Sequence, residues 1–195
     1  MVFSLIPFYL IGAYPTGYLI ARSQGINILT AGSGNIGATN LGRVLGWRAG
    51  LLTLGGDILK GALAVFLAGY FTSRSWFPAY AAVATVAGHC FSIPPKLKGG
   101  KGVATSLGTI LVLAPATAII GISIFASLFA WTRTVSVSSM AALLSAPIAS
   151  TLLSAPEPVS LALMAIALIV TYRHRANLRR LMEGKEERFS IHRSS

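Results

Sequence analysis

Charged residues make up 11% of this 195-residue chain, against about 25% in soluble domains. So few of them, with 54% hydrophobic residues and a mean hydropathy of +0.70, exclude an ordinary soluble domain and point to an integral membrane protein. Cysteine is scarcer still: Cys90 stands alone, which excludes an intramolecular disulfide and a cysteine-rich metal site and leaves a small buried thiol. No positively charged segment precedes the first apolar run, so Met1 to Ala21 reads as a retained first span and not as a cleaved signal. Missing too are a GxSxG nucleophile elbow, a Gly-Lys-Ser/Thr phosphate loop and an HxxxxD arrangement around His89 or His174. The two halves share no motif, which weakens an inverted-repeat transporter.

What is there is a series of apolar runs separated by short polar ones. A span takes about 20 residues. Residues 1–21 carry no charge and end at Arg22, with Pro7 and Pro15 predicting kinks. Polar, glycine-rich residues 23–48 follow, then an apolar run over 50–71, a turn over 72–78, an apolar run over 79–95 and a basic loop over 96–102. From Val103 to Thr171 the only charges are Arg133 and Glu157. Breaks at Pro115, at 131–134 and at 154–158 divide that stretch into four short spans. The expectation is an all-α integral membrane protein of about seven transmembrane helices, with five as the alternative. It forms one multi-span domain over 1–195, with a basic tail over 173–195 that lies along the membrane surface and frays at its end. Either span count puts 23–48, 96–102 and the tail on one face, together with most of the basic residues. The positive-inside rule makes that face cytoplasmic. The net charge of +11 is therefore assigned to the membrane and not to nucleic acid.

Three polar clusters on that face carry the chemistry. The first is Ser33-Gly34-Asn35-Ile36-Gly37-Ala38-Thr39-Asn40-Leu41-Gly42-Arg43. With Gly32 it contains GxGxxG, but a dinucleotide fold needs a βαβ unit, and two spans leave no room for one. What remains is a run of hydroxyl and amide donors, with Ser33, Asn35, Thr39 and Asn40 as candidates for holding phosphate oxygens beside Arg43. A plain interfacial turn is the competing reading. The second cluster is Lys98-Gly99-Gly100-Lys101-Gly102. Lys101, and after it Lys98, supply charge; Gly99, Gly100 and Gly102 supply backbone; and a helix from Val103 aims its N-terminal N–H groups at the same place. Thr105 either helps there or caps the helix. A basic turn that merely orients the spans is the alternative.

The third cluster runs from Tyr172 to Glu186, and on a helix its His174 and Asn177 share a face while Arg175 and Arg179 turn toward lipid head groups. Inside the second span Asp57 and Lys60 lie three apart and pair, so Lys60 either lines a pocket or only neutralises Asp57. His89 reads as structural. No cofactor and no metal are expected.

SGNIGATNLGR, KGGKG and HRANLRRLMEGKE resemble, in order, spacing and sidedness, the three motifs of the bacterial acyl-phosphate-dependent glycerol-3-phosphate acyltransferase family. The resemblance covers essentially the whole chain. It implies a helical membrane enzyme of the bacterial cytoplasmic membrane that moves an acyl chain from acyl phosphate to the 1-hydroxyl of sn-glycerol 3-phosphate, the first acylation of phospholipid synthesis. It implies critical positions at Ser33 and Arg43, at the motif-two glycines, and at His174 and Asn177, with Glu186 closing the third motif in a structural role. The expected partners are those two substrates and the bilayer, with the chain a monomer. Since acyl phosphate is already activated, no covalent nucleophile is needed; the proton of the attacking hydroxyl passes either to neutral His174 or to a substrate phosphate. An anion transporter with the glycine loops between helices is the reading from a different class.

Overall fold

The structure is a computed structural model and describes residues 5–72, 74, 76–92 and 99–189. Lys98, expected to bind substrate, lies outside them, as does the end of the tail. Among the described residues there are helices and no strand. The elements are α1 (Ile6–Ala13), α2 (Thr16–Ser23), α3 (Ala38–Leu45), α4 (Trp47–Tyr70), α5 (Phe77–Cys90), α6 (Val103–Leu113), α7 (Pro115–Thr132), α8 (Val135–Leu152), α9 (Glu157–Arg173) and α10 (Arg175–Met182).

Proline marks the starts. A proline sits in the first turn of α1, α5, α7 and α9, where its missing N–H has no intrahelical partner to lose. The three breaks expected between Val103 and Thr171 are all present. Ala114 leaves helical geometry just before Pro115, Arg133 takes the left-handed conformation at φ 56°, and residues 153–156 separate α8 from α9. The first apolar segment differs from expectation: Pro15 does more than kink it, and α1 and α2 are separate helices joined at Tyr14 and Pro15. The 23–48 loop also contains a helix, α3.

Among the described residues three helices are long and apolar enough to cross a membrane: α4, α7 and α8. A fourth crossing follows if α9 and α10, bent by 57° at His174, count as one. At about 1.5 Å per residue the 11 residues of α6 fall well short of a bilayer core of about 30 Å.

The densest packing is between α4 and α6, α1 and α5, α7 and α8, and α8 and α9. The closeness of α4 to α6 depends on Gly108, where a Cβ would collide with the Ile58 carbonyl oxygen. Small residues permit such backbone approach in helical membrane proteins. The apolar core joins Val65, Val86, Leu143, Leu163, Ile166 and Val170, while exposed Leu52, Leu59, Phe66, Ile119 and Leu168 face outward, as helices bathed in lipid require.

Fraying is expected only at the end of the tail, which lies outside the described residues; the part before that end is held against the protein. After α10 it turns at Gly184 (φ 67°) and runs back over the protein, the Phe189 N–H donating to the Arg133 carbonyl at 2.7 Å. The three polar clusters and the α7–α8 turn thus come together at one end of the helix assembly.

Candidate active site

Asn40 builds the first loop. Buried in the first turn of α3, its Oδ1 accepts from the Ser33 N–H at 2.9 Å and its Nδ2 donates to the Ala31 and Asn35 carbonyls at 3.1 and 2.9 Å. With its amide so engaged, Asn40 shapes the loop where substrate contact was expected of it. Ser33 is left exposed at the loop's tip and Asn35 half-buried beside it. Arg43, one turn further along α3 than Thr39, pairs with Glu187 of the returning tail at 2.8 Å.

The second loop is pressed flat on the end of α5. A Cβ on Gly100 would collide with the His89 ring at Nε2, and the Gly100 N–H donates to the His89 carbonyl at 3.1 Å. That N–H, expected to contact substrate, is therefore committed to α5. Gly102 is the residue that needs positive φ (87°), and it starts α6. The first i→i−4 bond there is Ser106 N–H to Gly102 at 2.7 Å, so the N–H groups of Val103, Ala104 and Thr105 precede the helix ladder and point toward the loop.

The third cluster is organised by Glu186. Its Oε1 accepts from Ser136 at 2.7 Å and Asn177 at 2.6 Å, and its Oε2 from Arg180 Nε at 2.8 Å. Burial works to raise the Glu186 carboxyl, but these three donors outweigh it and hold the group below the ordinary range. Asn177 keeps its buried Oδ1 without a hydrogen-bond partner among the described residues. His174, at the bend between α9 and α10, is buried with Nδ1 2.8 Å from the Val170 carbonyl. A carbonyl only accepts, so Nδ1 carries the proton and Nε2 is a bare acceptor. Burial, with Lys101 and Arg173 nearby, pushes the imidazole down to about 4. Half-buried Lys101 is pushed down to about 8, by burial first and then by Arg180, Arg43 and Arg173, with Glu186 opposing.

Two cavities meet among these groups. The smaller, about 600 Å³, is bordered by Arg173, Arg175, Gly99 and Ser92. The larger, about 820 Å³, continues from Arg43 and His174 along an apolar wall of Leu51, Leu54, Val103, Phe125, Phe129 and Phe189. Ser33, Asn35, Lys101, Asn177 and Arg180 border both. A cationic junction with one polar and one greasy arm can hold an anionic head group beside a lipid chain.

The comparisons with known proteins agree over nearly all of the chain. Residues 2–184 match the family described as Glycerol-3-phosphate acyltransferase. The chain belongs to that family. The glycerol-3-phosphate acyltransferase of Syntrophotalea carbinolica is 44% identical over 188 residues, 95% of this chain and 95% of that protein. That of a Thermus thermophilus strain is 42% identical over 187 residues, 96% of this chain and 94% of the other. The crystal structure of PlsY (YgiH), an integral membrane glycerol 3-phosphate acyltransferase, in its glycerol 3-phosphate form superposes with a TM-score of 0.90 at 36% identity, covering 97% of this chain and 95% of that one. Its lysophosphatidic acid form gives 0.88 at the same identity and coverage. This chain is accordingly an integral membrane protein of the family.

For this member of the family, the fold brings together Ser33, Asn35, Thr39, Arg43, Lys101, Gly102, His174, Asn177 and Glu186, all on the wall of the larger cavity. Of the described residues expected to bind substrate it leaves three off both cavity walls: Gly100, whose N–H is committed to α5, Lys60 and Thr105. The Lys60 ammonium lies 2.8 Å from Asp57, 2.8 Å from His89 Nδ1 and 2.9 Å from the Tyr14 carbonyl, and is not on either cavity wall. It neutralises Asp57 and ties α4 to α5, because a lone charge inside a span is costly. Thr105 packs against Gly61 of α4, neither bordering a cavity nor capping α6. Arg175 does not simply face outward: it stacks on Tyr172 at 4.6 Å and borders the smaller cavity. Arg180 was readable in the sequence, three residues past Asn177 as Asn177 is past His174. Arg173 and Ser136 carried no such signal.

Proposed function

We propose that this protein is a glycerol-3-phosphate acyltransferase whose donor is an acyl phosphate. The 1-hydroxyl oxygen of sn-glycerol 3-phosphate attacks the acyl carbonyl carbon, the bond from that carbon to the phosphate oxygen breaks, and 1-acylglycerol 3-phosphate and inorganic phosphate leave. The observation that carries this reading is the cationic junction between a polar and an apolar cavity. An acyl phosphate has that shape, a phosphate head on a long apolar chain. The lysophosphatidic acid form of the PlsY structure supports the product on the acceptor side.

In this reading Lys101, Arg43 and Ser33 hold phosphate oxygens, with Asn35, Thr39 and the N-terminus of α6 as further donors, and their main work is to bring two anionic substrates within bonding distance. Asn177 Oδ1 and His174 Nε2 are buried acceptors on the same wall, suited to the glycerol hydroxyls. An imidazole held near 4 is a weak base at neutral pH. A phosphate monoester, with a second pKa of about 6, is the better proton acceptor, so the proton goes to substrate phosphate and His174 positions the hydroxyl. Glu186 and Asn40 keep these groups in place.

The chain crosses the bacterial cytoplasmic membrane about seven times, α1 with α2 and each of α4 to α9 counting once, α6 as a short crossing that the glycine loop before it helps to complete, with the site on the cytoplasmic face as the basic loops direct. A single chain supplies every group named, which fits a monomer. The test is purified protein in detergent given palmitoyl phosphate and glycerol 3-phosphate, with palmitoyl-CoA as the parallel donor. Equimolar lysophosphatidate and phosphate from the acyl phosphate are expected; turnover from the thioester alone would overturn the donor.

A further inference from the structure

We propose that Arg173 is a positioning residue for this reaction, clamping the second glycine loop to the end of α9 and thereby fixing Lys101 relative to His174 and Asn177. The proposal rests on the acyltransfer reading above for its kinetic consequences and on geometry alone for the clamp.

Arg173 is the last residue of α9, directly before the bend at His174. Its Nη2 donates to the Gly99 carbonyl at 2.6 Å and its Nε to the Gly100 carbonyl at 3.1 Å. Two donors of one rigid plane thus engage two consecutive carbonyls, which a single ammonium on a flexible stem cannot reproduce. The Phe91 ring, at the end of α5, lies 5.6 Å from the guanidinium carbon and supports it by a cation–π contact.

The opposite side of the loop has no freedom either. Cβ atoms on Gly99 and Gly100 would collide with the Cys90 carbonyl and with His89 Nε2. Residues 99 and 100 are therefore gripped between α5 and Arg173, and Lys101 follows them directly. His174 follows Arg173 just as directly on the other side of the junction. One side chain consequently sets the spacing between the cation of the second cluster and the two acceptors of the third. Engaging both carbonyl oxygens also removes two acceptors that would repel a phosphate beside Lys101. Arg179, four residues before Glu183, is exposed and borders neither cavity, and so serves as the control.

The experiment uses the full chain in detergent and compares wild type with Arg173→Ala, Arg173→Lys and Arg179→Ala. Hydrogen exchange of residues 99–103 should quicken in Arg173→Ala while α7 and α8 stay protected. Its kcat should fall about 100-fold, the scale of a misplacement near 1 Å, with partial rescue by ethylguanidinium and none by ethylammonium. Arg173→Lys should recover less than about a tenth of wild-type kcat, because the fork and not the charge is required, and Arg179→Ala should match wild type. Wild-type kcat in Arg173→Lys, or unchanged loop exchange in Arg173→Ala, would overturn the clamp; so would exchange quickened throughout the molecule, which would make Arg173 a general stabiliser. An inactive wild type with quickened loop exchange in Arg173→Ala would instead sink the acyltransfer reading and leave the clamp standing.

Discussion

Lys101 holds its charge less firmly than an exposed lysine because the cavity walls around it strip its water. A lysine lowered to about 8 is cationic below that pH and loses its charge as pH rises through it. The alkaline limb of kcat/KM, which reports the free enzyme, should therefore fall near that value. In Lys101→Arg, which does not titrate there, any remaining activity should lack the limb. Lys101→Ala should lower turnover more than about tenfold, since a charge-assisted contact contributes about 1.5–3 kcal/mol. Its thermal midpoint should stay close to wild type, because the side chain holds no buried partner in place among the described residues. His174 behaves oppositely. Pushed to about 4, it stays neutral across the working range, so no acid limb near 6.5 belongs to it. As an acceptor rather than the base, His174→Gln should retain measurable activity and His174→Ala should lose nearly all of it. Complete loss in both, with glycerol 3-phosphate still binding by calorimetry, would return the base to His174.

At the scale of elements, the tail after α10 is the part whose contacts sequence patterning does not reveal. Basic by composition, its described part is tied down at Glu186, Glu187 and Phe189. The two carboxylates differ in what surrounds them. Glu186 receives three donors from α8 and α10, so Glu186→Ala strands buried Ser136 and Asn177 and frees the partly exposed Arg180. At about 1–3 kcal/mol for each buried group left without a partner, a clear drop in thermal midpoint should accompany the lost activity. Glu187 is mostly exposed and pairs with Arg43. An exposed pair contributes at most about 1 kcal/mol, so Glu187→Gln should leave stability unchanged. It should also lower KM for an anionic substrate up to about fivefold by releasing Arg43. A raised KM would mean that the carboxylate helps to orient Arg43.

For the whole molecule, sidedness is the property that most needs a direct measurement. Cys90 is buried and should stay silent to thiol reagents, so cysteines placed singly at exposed Arg48, Arg74 and Glu183 should report cleanly. Arg48 and Glu183 should label from the cytoplasmic side and Arg74 only from outside. Labelling of Glu183 from outside would break the seven-crossing count. A second whole-molecule prediction concerns the Asp57–Lys60–His89 contact that joins α4 and α5 to the Tyr14 turn. Lys60→Met strands a buried carboxylate at a cost of about 3–5 kcal/mol, and the added change Asp57→Leu should restore much of the thermal midpoint.

Composition alone determined that this chain lives in a membrane, because 11% charge cannot coat a soluble surface, and local punctuation determined the breaks at Pro115, Arg133 and 153–156. Which residues border the larger cavity was legible wherever a residue type had a use in a polar loop, as at Ser33, Arg43, Lys101, His174 and Asn177. Tertiary structure decided which of the candidates reach the cavities. Lys60 and Thr105 sit on segments whose sequence permits either role, and only the packing of α4 against α5 and α6 turned them away. Asn40 does border the larger cavity, yet its own loop closes around its amide. Arg173 and the returning tail were invisible for the same physical reason: their partners, the carbonyls of Gly99 and Gly100 and the α7–α8 turn, are far away along the chain, and no pattern in sequence records a contact made only when helices assemble.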